Sequence, residues 1–254
     1  MPFDVDYHAV APELILAGTA LLVLALDLFL PRERKWWAMP VSFIGTAGAL
    51  AAALTLIGDR RTSFGGTYVV DSFAILFKVF FLVVALAVFM ISLRYFQQGR
   101  YYQGEYYFLV LSSFLGMLTI VSSRDLLMLF ISLELVTAPG FLIAGFRKGD
   151  PRSNEAALKF FLIGILSTAV MLYGMSLIYG ITGALRLDAI ARALTGEVPS
   201  VRLENLTISD PLAIGAILFV RPALLARQGL ADPRPAFEVA RTASALRRNA
   251  HRDE

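Results

Sequence analysis

Between Asp125 and Arg147 the chain reads LLMLFISLELVTAPGFLIAGF, residues 126–146, with one charged side chain, Glu134. A helix needs about 20 apolar residues to cross a hydrocarbon core of about 30 Å. The run is long, continuous and free of period-two alternation, so it reads as helix and not as strand. In hydrocarbon each backbone amide must be satisfied within its own segment, which a helix does. Lipid is therefore the solvent in which the rest of the sequence has to be read.

Five further runs reach the same length or nearly so. They are Leu14–Leu30, with Asp27 near its end; Trp36–Ile57, opening on paired tryptophans; Ser72–Leu93, carrying Lys78; Tyr106–Ser122, opening on tyrosines; and Ala156–Tyr179, carrying Lys159. Interfacial aromatics at span starts fit a membrane boundary. The composition agrees: 57% of residues are hydrophobic and 17% charged, where a soluble domain runs at about half and a quarter. That leaves too little polar surface to coat a water-soluble globule. The expected fold is all-α: a polytopic transmembrane helix bundle of about six complete spans and an aborted seventh. The chain has no cysteine and two histidines, His8 and His251. This excludes a disulfide framework, a thiol nucleophile and a cysteine-held cluster, and argues against a histidine metal or haem site.

The loops between spans are short enough for their charges to report orientation. Arg32, Arg34 and Lys35 follow span one, Arg94 and Arg100 span three, and Arg147, Lys148 and Arg152 span five. The segment before span one carries Asp4, Asp6 and Glu13 and no basic residue, and the loops after spans two and four hold only Arg60, Arg61 and Arg124. The positive-inside bias predicts an external N-terminus and cytoplasmic basic loops. The acidic leader is unlike the basic start of a signal peptide.

The transmembrane domain is expected over residues 1–220. Within it, 183–209 reads as a polar loop in which Leu187, Ile190, Ala191 and Leu194 line one face of a short helix, with Arg186 and Arg192 available to headgroups. Packing of that helix on its own spans is the plainer alternative. Residues 212–220 begin a seventh apolar run that Arg221-Pro222 interrupts. Residues 221–254 are rich in Arg, Ala and Pro, hold seven arginines against four acids, and read as disordered.

Charges within the spans carry the functional signal, because each costs several kcal/mol in hydrocarbon. Glu134 lies eight residues into its run, about 12 Å deep at about 1.5 Å per residue, too deep to snorkel. It must be protonated, paired, or turned to water or protein. A carboxyl group poised between desolvation and a nearby cation can load and unload a proton; the alternative is a protonated side chain bridging helices. Pro139, five residues on, removes one helical N–H and leaves the carbonyl of Leu135 without its usual donor, while Ser132 and Thr137 offer hydroxyls. Proline is also common in membrane helices. Lys159 is a titratable cation near the start of span six; a pair with Glu155 four residues earlier, or snorkelling, would explain it equally. Lys78, about two turns into span three, is a secondary candidate for which snorkelling suffices.

The segment Ser123-Arg124-Asp125-Leu126 through Ser132-Leu133-Glu134-Leu135, the segment Asn154-Glu155-Ala156-Ala157-Leu158-Lys159 through Ile163-Gly164, and the pairs Tyr173-Gly174 and Tyr179-Gly180 resemble the antiporter-like membrane subunits of proton-pumping NADH:quinone oxidoreductase, respiratory complex I, and among them the subunit N family. The resemblance covers roughly residues 8–220. It implies a subunit of a translocase in the bacterial plasma (inner) membrane, with no redox centre or cofactor of its own. NADH, FMN, iron–sulfur clusters and quinone would be bound by other subunits. Its partners would be other membrane subunits, antiporter-like ones included, and the lipid bilayer, with no nucleic acid. It also implies that Glu134 and Lys159 form a proton-coupling pair. Members of that family are about twice this length, with fourteen spans and a lysine in the seventh. Here Arg221-Pro222 follows Val220 instead, so the expectation is a truncated or frameshifted chain that does not pump by itself. A multisubunit cation/proton antiporter subunit and a non-catalytic membrane scaffold are the alternatives.

Overall fold

The computed structural model describes residues 5–97 and 103–194. Six of its helices are long and apolar enough to cross a membrane: α1 (Ala11–Phe29), α2 (Ala38–Thr55), α3 (Ser72–Gln97), α4 (Gln103–Ser122), α5 (Leu126–Ala144) and α6 (Pro151–Thr182). A short helix, α7 (Leu187–Leu194), follows, with Ile190 and Ala193 as its buried contacts. The architecture is a polytopic helical bundle. The partial run at 212–220, the tail at 221–254 and the loop residues past Leu194 lie outside the described residues, as does Arg100.

The helix ends depart from the apolar runs where capping overrides hydropathy. Helix α1 starts at Ala11, because Pro12 in its first turn has its ring pre-set for helix and no N–H to satisfy. This early start brings Glu13 inside the helix. Helix α5 starts where expected: the Asp125 carboxylate accepts the N–H groups of Leu127 (2.9 Å) and Met128 (3.3 Å). Helix α6 opens on Pro151 and runs for 32 residues, about 48 Å at about 1.5 Å per residue, well beyond one hydrocarbon thickness.

The segment between α2 and α3, read from sequence as a plain loop, forms an antiparallel hairpin of β1 (Arg61–Ser63) and β2 (Tyr68–Val70). Aromatic and β-branched residues favour the second strand. Its turn needs left-handed backbone at Phe64, Gly65 and Gly66, which the two glycines adopt without a Cβ penalty. A hairpin this short is marginal by itself, and this one is pinned on several sides. The Asp6 N–H donates to Ser63 Oγ (3.1 Å), and Arg61 pairs with Asp6 (3.0 Å) and Asp59 (2.9 Å). The Arg124 N–H donates to the Thr67 carbonyl (2.8 Å), and Arg186 donates to the carbonyl of Gly65 (3.0 Å).

The chain divides into two compact units, 1–175 with 184–190, and 176–183 with 191–254. In the first, α4 packs against α1, α3 and α5, while α2 lies against α1 and α3. Leu16, Val23, Leu82, Phe89, Leu111 and Leu118 fill the fully enclosed core between these helices. Helix α6 has no buried residue, and Leu158, Leu162, Ile163 and Leu166 stand exposed along it. Of the second unit, the described residues are the last turns of α6 and the end of α7.

Candidate functional site

Glu134 projects from the middle of α5, half-buried, and its Oε1 accepts a hydrogen bond from Thr168 Oγ1 of α6 at 2.8 Å. The carboxyl group therefore bridges two spans through a neutral donor. The neighbouring hydroxyls serve their own helix: Ser132 donates to the Met128 carbonyl (2.7 Å) and Thr137 to the carbonyl of Glu134 (3.4 Å). Pro139 is buried, and α5 continues through it to Ala144. Ser113 of α4 donates to the Val136 carbonyl (3.4 Å), one residue past the Leu135 carbonyl that the proline deprives of its donor. Close contact of α4 with α5 makes this reach feasible. A Cβ at Gly116 would lie 2.7 Å from the Ser132 carbonyl oxygen and 2.9 Å from the Val136 nitrogen, so only glycine fits there.

Lys159 is exposed and pairs with Glu155 one turn earlier on α6. Thr168, the partner of Glu134, lies nine residues further along the same helix, about 13 Å of rise. Glu134, which bonds to α6, and Lys159, which α6 carries, thus make their contacts with other residues at different levels of that helix.

Lys78 does not snorkel. Its side chain has 0% exposure, and its Nζ lies 2.8 Å from Glu13 Oε1, which is 5% exposed. The same ammonium donates to the Tyr68 hydroxyl at 2.7 Å and sits 4.9 Å from the centre of the Tyr68 ring. Tyr68 donates in turn to the Ala9 carbonyl (3.4 Å), and burial, then the Glu13 charge, pushes its phenol well above the usual range. Ala9, Leu56, Val70 and Ile75 enclose the group. Sequence reasoning set Glu13 before span one, as an ordinary acid of the leader. The available signal was Pro12, which moves the helix start back over it. Among the described residues no three His, Cys, Asp or Glu side chains gather as a metal set.

The described bundle is thus one of long apolar helices in which a carboxyl group bridges α5 and α6. Residues 123–229 match the family described as NADH:quinone oxidoreductase/Mrp antiporter, transmembrane region. Within that class the chain is similar to NADH-quinone oxidoreductase subunit N. It is 36% identical to subunit N 1 of Koribacter versatilis, over 87% of this chain and 44% of that one. It is 41% identical to subunit N 2 of Streptomyces griseus, over 78% and 38%. A chain of respiratory complex I from Thermus thermophilus shares the fold, with a TM-score of 0.61, 31% identity, and coverage of 81% of this chain and 41% of that one. The chain thus spans less than half the length of the relatives it matches.

Proposed function

We propose that this chain serves as an antiporter-like membrane subunit of an NADH:quinone oxidoreductase and takes part in proton translocation coupled to quinone reduction. One observation carries the reading: an ionisable group, Glu134, is held mid-span by a neutral hydrogen bond across α5 and α6. A carboxyl group so placed changes its proton occupancy when a neighbouring charge appears or leaves. The side chain keeps its Thr168 bond in either form, since a carboxylic acid retains an acceptor oxygen. Lys159 is proposed as the cation that tunes it, with Pro139 and Lys78 as secondary contributors. Lys159 reaches that role by leaving Glu155, which the long, exposed side chain can do without a large cost.

The electrons would travel on other subunits, which bind NADH, FMN, iron–sulfur clusters and quinone. The proposed setting is the bacterial plasma membrane, with the N-terminus outside as the basic loops predict. The test is a complex assembled with this chain in membrane vesicles. Glu134→Gln keeps the acceptor for Thr168 and removes the titration, so NADH-driven acidification should fall severalfold while assembly is retained. An undiminished proton yield would overturn the role of Glu134. The matched family also includes Mrp antiporters, so sodium-dependent transport without NADH oxidation would favour that rival.

A further inference from the structure

At the end of the bundle opposite the hairpin, the helices leave a cavity of 470 Å³, within the range of about 300–1,000 Å³ typical of small-molecule sites. The last two turns of α1 and α5 and the first two turns of α4 and α6 enclose it. The helices touch there through small residues. Gly104 of α4 lies against the Asp27 carboxyl group of α1, and a Cβ on Gly145, just past α5, would lie 2.8 Å from the Cβ of Ala157. Gly145 and Ala157 both line the cavity, and neither has a side chain long enough to fill it.

The lining changes character with depth. Glu105, Lys148 and Asn154 sit at or beyond the helix ends, whereas Leu24, Phe108, Leu109, Phe141 and Leu142 lie further in. From Glu105 to Leu109 the rise is about 6 Å. The Phe141 ring is held edge-on by Phe160 and Phe161, with ring centres 4.8 Å and 5.8 Å away. This wall is therefore built before anything binds. Leu24 and Leu142 are both exposed, as befits a mouth on the lipid side. A charged rim above an apolar chamber matches an amphiphile whose head stays at the interface.

The charged lining residues are one acid and one base, Glu105 and Lys148, 2.8 Å apart, with side chains 40% and 63% exposed. So exposed a pair contributes little stability, and both groups can take new partners at small cost. Asn154 donates to the Lys148 carbonyl (3.2 Å) and fixes the backbone that carries the ammonium. We propose that this cavity binds one phospholipid with a zwitterionic head group bearing a primary amine, the phosphatidylethanolamine class. Its phosphate meets Lys148, its amine meets Glu105, and the first methylenes of an acyl chain lie on Phe108, Leu109 and Phe141. Each half of the exposed pair thus gains a charge-assisted partner. An anionic head group would set a like charge against Glu105. A choline head group has no N–H to donate to the carboxylate.

The test uses the full chain in phosphatidylcholine nanodiscs that contain a phosphatidylethanolamine with a photoreactive group near the start of one acyl chain. After illumination, peptide mapping by mass spectrometry should find the label within 105–109 and 141–148. Unlabelled phosphatidylethanolamine should lower this labelling severalfold more than equal amounts of phosphatidylcholine or phosphatidylglycerol. Glu105→Gln and Lys148→Gln should each erase that preference without moving the unfolding midpoint, since both side chains are exposed. Leu109→Trp fills the chamber with the rim intact and should lower the labelling severalfold; the two rim variants decide the matter if it fails to fold. Equal competition by all three lipids would mean ordinary boundary lipid, and stronger competition by phosphatidylglycerol an anionic site. Either result, or a preference that survives both rim variants, would overturn the proposal.

Discussion

Glu13 and Glu134 are the same residue type in the same kind of helix, and the bundle treats them in opposite ways. Glu13 is sealed among α1, the hairpin and α3 with a full countercharge 2.8 Å away. Glu134 is half-buried where α5 meets α6, and its partner is a threonine hydroxyl. The surroundings differ to match. The α1–α4 core is closed on itself, whereas α6 buries no residue. Glu13 thus faces a full charge inside a closed core, whereas Glu134 faces a neutral donor at a thinly covered boundary. The comparison teaches that depth in lipid alone does not say what an acidic residue does; the partner and the completeness of its enclosure do.

The sharpest way to break this contrast is to remove one half of the sealed pair. Lys78→Met leaves a buried carboxylate without its cation and should cost about 3–5 kcal/mol, seen as a large drop in the unfolding midpoint in detergent. Adding Glu13→Gln to it should recover most of the loss. Equal destabilisation by the single and double variants would mean that the pair is not coupled. Next in size is Gly116→Val. It forces α4 and α5 apart where backbone atoms leave no room and should cost about 1–3 kcal/mol. Thr168→Val removes the donor to Glu134 and should cost about 1 kcal/mol, with the stability measured beside proton transport, which should fall further than the fold does. Lys159→Met should move the midpoint by about 0.5 kcal/mol or less, because its pair with Glu155 is exposed.

The smallest effect is a response to acid outside the membrane. The Arg61 hydrogen bond holds the Asp6 carboxyl below its ordinary value of 3.8. A depressed folded value means that the contribution is fully present above 3.8 and is lost as pH falls through the lower, folded value. Hydrogen exchange at the Ser63 end of the hairpin should therefore speed up only below about pH 4, and Asp6→Asn should abolish that acid dependence.

Much of the bundle could be read directly from the sequence, since each span is a continuous apolar run and hydrocarbon leaves helices as the only open-ended solution. Glu134 was legible for the same reason: one charge in a run of 21 residues stands out. Glu13 was not, because it sits at the edge of its run and 65 positions from Lys78, and no local pattern carries information over that distance. Without its partner, Lys78 looked like a lysine able to stretch to the interface. The structure turns it inward, where Tyr68 and Glu13 take the place of water as its partners. The hairpin was missed because its strands are three residues each, too short for alternation to register. The bond from Thr168 to Glu134 is likewise a product of helix packing and not of spacing.

The α4–α5 turn is tied on both sides by main-chain hydrogen bonds. The Arg124 N–H holds the Thr67 carbonyl, the Leu187 N–H holds the Arg124 carbonyl at 3.0 Å, and the Leu126 N–H holds the carbonyl of Leu185 at 3.0 Å. One residue, Arg124, thus bonds both the hairpin and the segment that follows α6. Mechanically it acts like a stitch through three layers of cloth: a tug on the segment after α6 is felt at the strand bearing Tyr68 without any side chain having to relay it.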